Sequence, residues 1–182
     1  MQQVKERLGL PQIVSKKGGI SALHYVEFHE ERTTQGKLMG DITEDPRILR
    51  FKVFSVLCRN DGLVVAQRDH QSVQAVKSAK LQGGPWLHFG PSLDATAVGR
   101  IKHGVTGEKD LAAWFGEPTL EFLAPDKTLV LVWIEGRLTS SLSHKWEYTS
   151  LSVAFDDRDT VGQHSLVETD KLGEAMNGFS FR

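Results

Sequence analysis

The sequence predicts an α+β fold made of two tandem helix(-helix)-β-β-β units, with antiparallel sheets that carry their helices on one face. Three observations predict it. The stop "LGLP" at 8–11 returns as "FGEP" at 115–118. An apolar strand with one aromatic follows each stop, "HYVE" at 24–27 and "VWIE" at 132–135. A strand and turn, "FSVLCRNDGLVV" at 54–65, matches "LSVAFDDRDTVG" at 151–162. A period repeated this way marks one structural unit used twice.

The first copy opens on a helix. Val4 and Leu8 fall on Leu111 and Phe115 of the second copy, Gly9 on Gly116 and Pro11 on Pro118. The glycine supplies a left-handed residue at the helix end, and the proline forbids continuation. Two strands separated by the excursion 31–47 come next, then a hairpin at "RNDG" (59–62), where Asp-Gly favours a tight turn. The first part of 71–104 has helix-permissive composition, and "GGPWLHFGP" at 83–91 breaks regular structure and reads as a linker. In the second copy "SLDATAVGRIKHG" (92–104) reads as a short helix with Ser92 as its N-cap and Gly104 past its end. A second helix follows Thr106 as N-cap, its apolar face made by Leu111, Trp114 and Phe115. Leu129 to Ile134 is an apolar run of strand length, Ser150 to Phe155 alternates, and "DDRD" (156–159) turns the last hairpin. The implied boundaries are 1–70 for the first unit, without its first helix, 71–91 for a helix and linker, 92–168 for the second unit, and 169–182 for a tail.

With 182 residues, 40% hydrophobic, 25% charged and a net charge of −1, the chain has the profile of a folded soluble protein. A near-neutral balance gives no long-range attraction for nucleic acid. No run approaches the roughly 18 apolar residues of a membrane span. The single Cys58 lies in an apolar run and reads as a buried thiol. "MQQVKERLGL" lacks the apolar region of a signal peptide, so the chain as written reads as cytoplasmic. An export segment ahead of Met1 would place it in the cell envelope or periplasm instead.

"RIKHGVTGEKDLAAWFGEPT", an apolar strand, then "WEYTSLSVAFDDRDTVGQHSL" together resemble the SmpA/OmlA (BamE-like) family of small bacterial envelope proteins. Gly104, Thr106, Gly116, Pro118, Trp146, Tyr148, Val153 and Phe155 stand at the positions of that family's pattern. Two such units resemble the architecture of the beta-lactamase inhibitor protein, whose tandem units join their sheets into one curved surface. The chain departs from both patterns: it has no lipobox cysteine and cannot form the inhibitor's disulfides.

No chemistry-bearing constellation emerges from the residues. The seven histidines form no H-x-x-x-H pair, the glycine-rich stretch lacks the Lys-Ser/Thr of a phosphate loop, and no G-x-S-x-G elbow occurs. Asp156, Asp157 and Asp159 lack the glycine and distal glutamate of a calcium loop. No cofactor is expected. The sheet offers more. Period two puts Leu151, Val153 and Phe155 toward the helices, and Trp146, Tyr148, Ser150 and Ser152 on the other face. Through the repeat, Phe51 matches Tyr148 and Tyr25 matches Trp133. The expectation is one aromatic face of Tyr25, Phe51, Trp133, Trp146 and Tyr148, uncovered by helices and used to bind another protein. The alternative is that loop 31–47 or the tail folds over it as a second small core. The function expected is a non-catalytic inhibitor, adaptor or assembly factor. A structural envelope scaffold comes second, and a hydrolase or ligand site between the units, near Trp86 and His88, third.

Overall fold

The computed structural model describes residues 1–32, 47–78, 87–138 and 145–177. It is an α+β protein with two antiparallel sheets. The first helix, α1 (Gln2–Leu8), leads into β1 (Ile13–Lys17), β2 (Ile20–Arg32), β3 (Arg47–Arg59) and β4 (Val64–Ala75), which form one four-stranded sheet in the order β1-β2-β3-β4. The strands β5 (Lys77–Ser78) and β6 (Leu87–Phe89) belong to the second sheet, as do β7 (Leu120–Leu123), β8 (Leu129–Leu138), β9 (Trp146–Phe155) and β10 (Val161–Thr169). Helices α2 (Ala95–Val98) and α3 (Glu108–Phe115) precede β7, and α4 (Leu172–Met176) follows β10. The second sheet runs β10-β9-β8-β6-β5, with β7 also paired to β8. Since β9 occupies one edge of β8, β6 and β7 share the other end to end, against Gly136–Leu138 and Leu129–Val132 respectively.

Both glycine stops end helices. Gly9 has φ +82° and donates its N–H to the Lys5 carbonyl at 2.9 Å; Gly116 has φ +73° and donates to Ala112 at 2.9 Å. Both hairpins close as the turn chemistry demands. Asp61 accepts the Leu63 N–H at 3.0 Å, and Asp156 accepts those of Arg158 and Thr160 at 2.9 and 3.0 Å.

The sheets do not join into one surface; they stack. One face of β3 (Leu49, Phe51, Val53) meets one face of β7 and β8 (Leu120, Phe122, Val130, Val132, Ile134) in the main core. Each sheet therefore has two apolar faces, and its second face receives helices. Leu23, Val56 and Cys58 take Met1 and Val4 of the α1 end; Leu131, Trp133, Leu151 and Val153 take Val98, Leu111 and Phe115 of α2 and α3. The layers run α1, first sheet, second sheet, α2 and α3. The continuous apolar run of β8 is what burial on both faces requires.

Three expectations are corrected. Residues 71–78 are strand, not helix: β4 continues to Ala75, and β5 pairs with β6. The segment read as a linker supplies β6, held by pairing of Leu87, His88 and Phe89 with β8; residues 79–86 lie outside the described residues. The caps shift as well. Asp94, not Ser92, caps α2 by accepting the Ala97 N–H at 2.8 Å. Gly107, not Thr106, caps α3, with Asp110 accepting the Gly107 N–H at 2.9 Å. Thr106 instead accepts the Lys102 N–H through its hydroxyl, at 2.9 Å.

Candidate functional site

The five aromatics expected on one open face divide between two faces, and most are covered. Trp133 pairs with Leu151, and paired residues point the same way, so its indole lies under α3 with 0% of its surface exposed. Its ring sits 5.8 Å from that of Phe115, and Nε1–H donates to the Gly116 carbonyl at 2.9 Å. Tyr25 does the same for the first sheet. It pairs with Phe54 on the α1 side, and its hydroxyl donates to the Gly9 carbonyl at 3.4 Å.

Phe51, Trp146 and Tyr148 lie on the opposite face, between the sheets. Phe51 is 1% exposed. Trp146 and Tyr148 stack at 6.2 Å and both meet Phe89, at 5.8 and 6.3 Å, while Leu172, Ala175 and Met176 of α4 pack onto the same cluster. Tail and first sheet cover this face and make it core, because period two runs through 146 and 148 on one side and 151 and 153 on the other. The same rule excludes Trp133 from the set.

Among the described residues, sheet surface without a covering layer lies elsewhere, on the outer face of the first sheet. Strands β2 and β3 each have 13 residues, whereas α1 has 7 and spans roughly 10 Å. Its apolar contacts reach Leu23, Val56 and Cys58, with Tyr25 and Phe54 at their edge. Beyond it the ladder lays down rows that share the outer face: Tyr25, Phe54 and Asp69; Glu27, Lys52 and Gln71; His29, Arg50 and Val73. Tyr25 and Phe54 are half-buried, and a cleft of about 360 Å³ opens beside them between Leu8, Gln12, Lys52 and Asp69. Partial burial raises the Tyr25 phenol pKa above its ordinary value, with the Cys58 thiol a smaller contributor. The Val26 N–H donates to Gln12 Oε1 at 2.9 Å, tying the post-helix segment to β2. Of the exposed aliphatic side chains, Leu8 and Leu10 stand at the helix end, Leu10 80% exposed, and Val73 lies in the third row; Val14 and Val64 pair with Leu23 and Cys58 at the α1 end of the sheet. Sequence reasoning finds Tyr25 and misses Phe54, although the repeat matches Phe54 to Leu151 on the helix side.

Other polar clusters join the two sheets. Arg68 donates to Glu121 at 2.8 Å, His70 lies 3.4 Å from the same carboxylate, and Ser72 donates to the Thr119 carbonyl at 2.7 Å. The hydrogen bond from His70, against opposing desolvation and with help from Arg68, lowers the Glu121 pKa to about 2. Glu135 is buried and accepts from Leu93 N–H at 3.0 Å and Arg137 at 2.7 Å, fixing the approach to α2. His24 Nδ1 lies 2.9 Å from Ser55 Oγ, the spacing of a general base and a nucleophile. Both are 0% exposed, and Ser55 also accepts the Leu123 N–H at 3.3 Å, so this pair has no substrate path and serves the inter-sheet core. His88 is paired into the sheet between Lys77 and Arg137, and Trp86 lies outside the described residues.

Among the described residues no three His, Cys, Asp or Glu side chains gather in a metal-binding group, and no helix is long and apolar enough to cross a membrane. A scan against protein-family models finds no match, and searches of curated proteins and of solved structures return none.

Proposed function

We propose that the chain is a tandem pair of BamE-like units acting as a non-catalytic protein-binding module, with the outer face of β2, β3 and β4 as its docking surface. The tandem reading is supported by order. α1, Gly9-x-Pro11, β1, β2, β3, β4 runs parallel to α3, Gly116-x-Pro118, β7, β8, β9, β10, and in both the aromatic of the second strand bonds the stop glycine's carbonyl. The observation that carries the functional reading is the stretch of sheet beyond α1. There two half-buried aromatics border a cleft that Leu8 also lines, Val73 lies exposed in the third row, and charges of both signs share the rows. Aromatic anchors inside a polar rim suit a protein interface. Lys52 and Arg50 beside Glu27, Glu31 and Asp69 give no one-signed field, which argues for a protein partner over nucleic acid.

The test is affinity for a protein retained by the immobilised chain. Tyr25→Ala is expected to cost about 2 kcal/mol of binding, and Lys52→Glu to weaken it without loss of stability, because Lys52 is exposed. Wild-type affinity in both variants would overturn the proposal.

A further inference from the structure

His103 and His164 are 61 residues apart in sequence, yet His103 Nε2 lies 2.9 Å from His164 Nδ1, with the rings 83° apart in plane. The arrangement is built rather than incidental. His103 sits in the turn after α2, where Gly104 takes φ +70° and donates to the Val161 carbonyl at 2.9 Å. Val161 N–H returns a bond to the Thr106 carbonyl at 2.8 Å, and the Thr106 hydroxyl closes the turn by accepting from Lys102 at 2.9 Å. His164 is on β10, paired with Val153, so its ring lies on the side of the sheet that carries α2 and α3. Both backbones are therefore held before any ligand arrives.

We propose that His103 and His164 form a two-histidine chelate for a divalent transition metal, with Cu²⁺ preferred and Ni²⁺ next. Imidazole nitrogens suit both ions, and affinity along the first-row divalent series peaks at Cu²⁺. The hydrogen bond of 2.9 Å brings the two ring nitrogens within reach of one ion. Entry of the ion requires both rings to tilt until their lone pairs converge. The proton shared between the two nitrogens moves to the other nitrogen of its ring, so neutral imidazoles bind without net proton release. The pair is partly exposed, which leaves the remaining coordination positions to water or to a small donor molecule. This site is on the second sheet and is independent of the docking face.

The test is titration of the full chain with CuCl₂, read by calorimetry and electron paramagnetic resonance. One Cu²⁺ with a two-nitrogen imidazole signature is expected at low equivalents. His103→Gln and His164→Gln are each expected to weaken it roughly a hundredfold, the advantage of a preorganised second ligand. His29→Gln, on the other sheet, is expected to leave it intact, and Zn²⁺ to bind more weakly than Cu²⁺. Equal binding by the wild type and the His103→Gln/His164→Gln double variant, or loss of the signal in His29→Gln, would overturn the proposal.

Discussion

Gly90→Val is expected to cost about 4 kcal/mol or more in urea unfolding. Gly90 has φ +78°, and a Cβ there would stand 2.0 Å from the Ile134 carbonyl oxygen and 3.2 Å from Glu135 Cα. These are backbone atoms of the central strand and cannot swing aside. The clash would push β6 off β8 and lift Phe89, which Cβ-less Gly136 admits on the paired strand. Phe89 in turn supports Phe51, Trp146 and Tyr148. Gly116→Ala is the control. It has a similar φ of +73° with nothing within 4 Å of its Cβ, so only the backbone term of about 1 kcal/mol is expected. Similar losses at the two positions would mean that β6 does not approach β8 as described.

Between pH 6.5 and about pH 4, stability is expected to fall because of one buried histidine. Burial lowers the His24 pKa from 6.5 to about 4. Below pH 6.5 the unfolded chain takes up a proton at this position, and the folded chain does so only near pH 4. The unfolded state thus binds more protons throughout that window, so stability drops on acidification and the His24 contribution levels off below it. At 1.36 kcal/mol per unit, the change from pH 7 to pH 4.5 is on the order of 2–3 kcal/mol. Glu121 adds a lower window. Its pKa is depressed to about 2, so its contribution is present above its ordinary pKa of 4.5 and fades as the pH falls through 2. His24→Val, which installs the type of residue found at the matching position Val132, is expected to flatten the upper window. Chemical denaturation at pH 7 and pH 4.5 reads the difference directly, whatever the baseline stability of the variant. An unchanged difference in His24→Val would assign the pH effect to other groups.

The local features of the fold are legible where chemistry is local. Gly9 and Gly116 announce helix ends because few other residues accept that φ, and Asp61-Gly62 and Asp156 announce hairpins by their own hydrogen bonds. The alternation through Leu151, Val153 and Phe155 points to the correct face of β9. Long-range covering is not legible in the same way. Leu129 to Ile134 reads simply as a strand, yet an unbroken apolar run means that both faces are buried, and that alone foretells a second sheet across from the helices. β4 escapes because its half-buried positions at His70, Ser72 and Gln74 are polar: its period is two in burial but not in hydrophobicity. The site suffers from one parity step. Grouping Trp133 with Trp146 and Tyr148 needs the pairing register, and Trp133 opposite Leu151 puts it on the other side. The proposed repeat does contain the answer, since it matches Tyr25 to Trp133 and Phe54 to Leu151, and all four side chains share the helix side of their sheets.

Site-specific photocrosslinking in the source cell tests the central claim most directly, with a benzophenone side chain placed at one position per variant. Lys52 and Gln71 sample the outer face of the first sheet; Lys109 and Glu117 sample α3 and its stop on the opposite outer layer. One discrete protein adduct of the same mass is expected from Lys52 and Gln71, and none from Lys109 or Glu117. The reverse pattern, or the same adducts from all four positions, would contradict the claim.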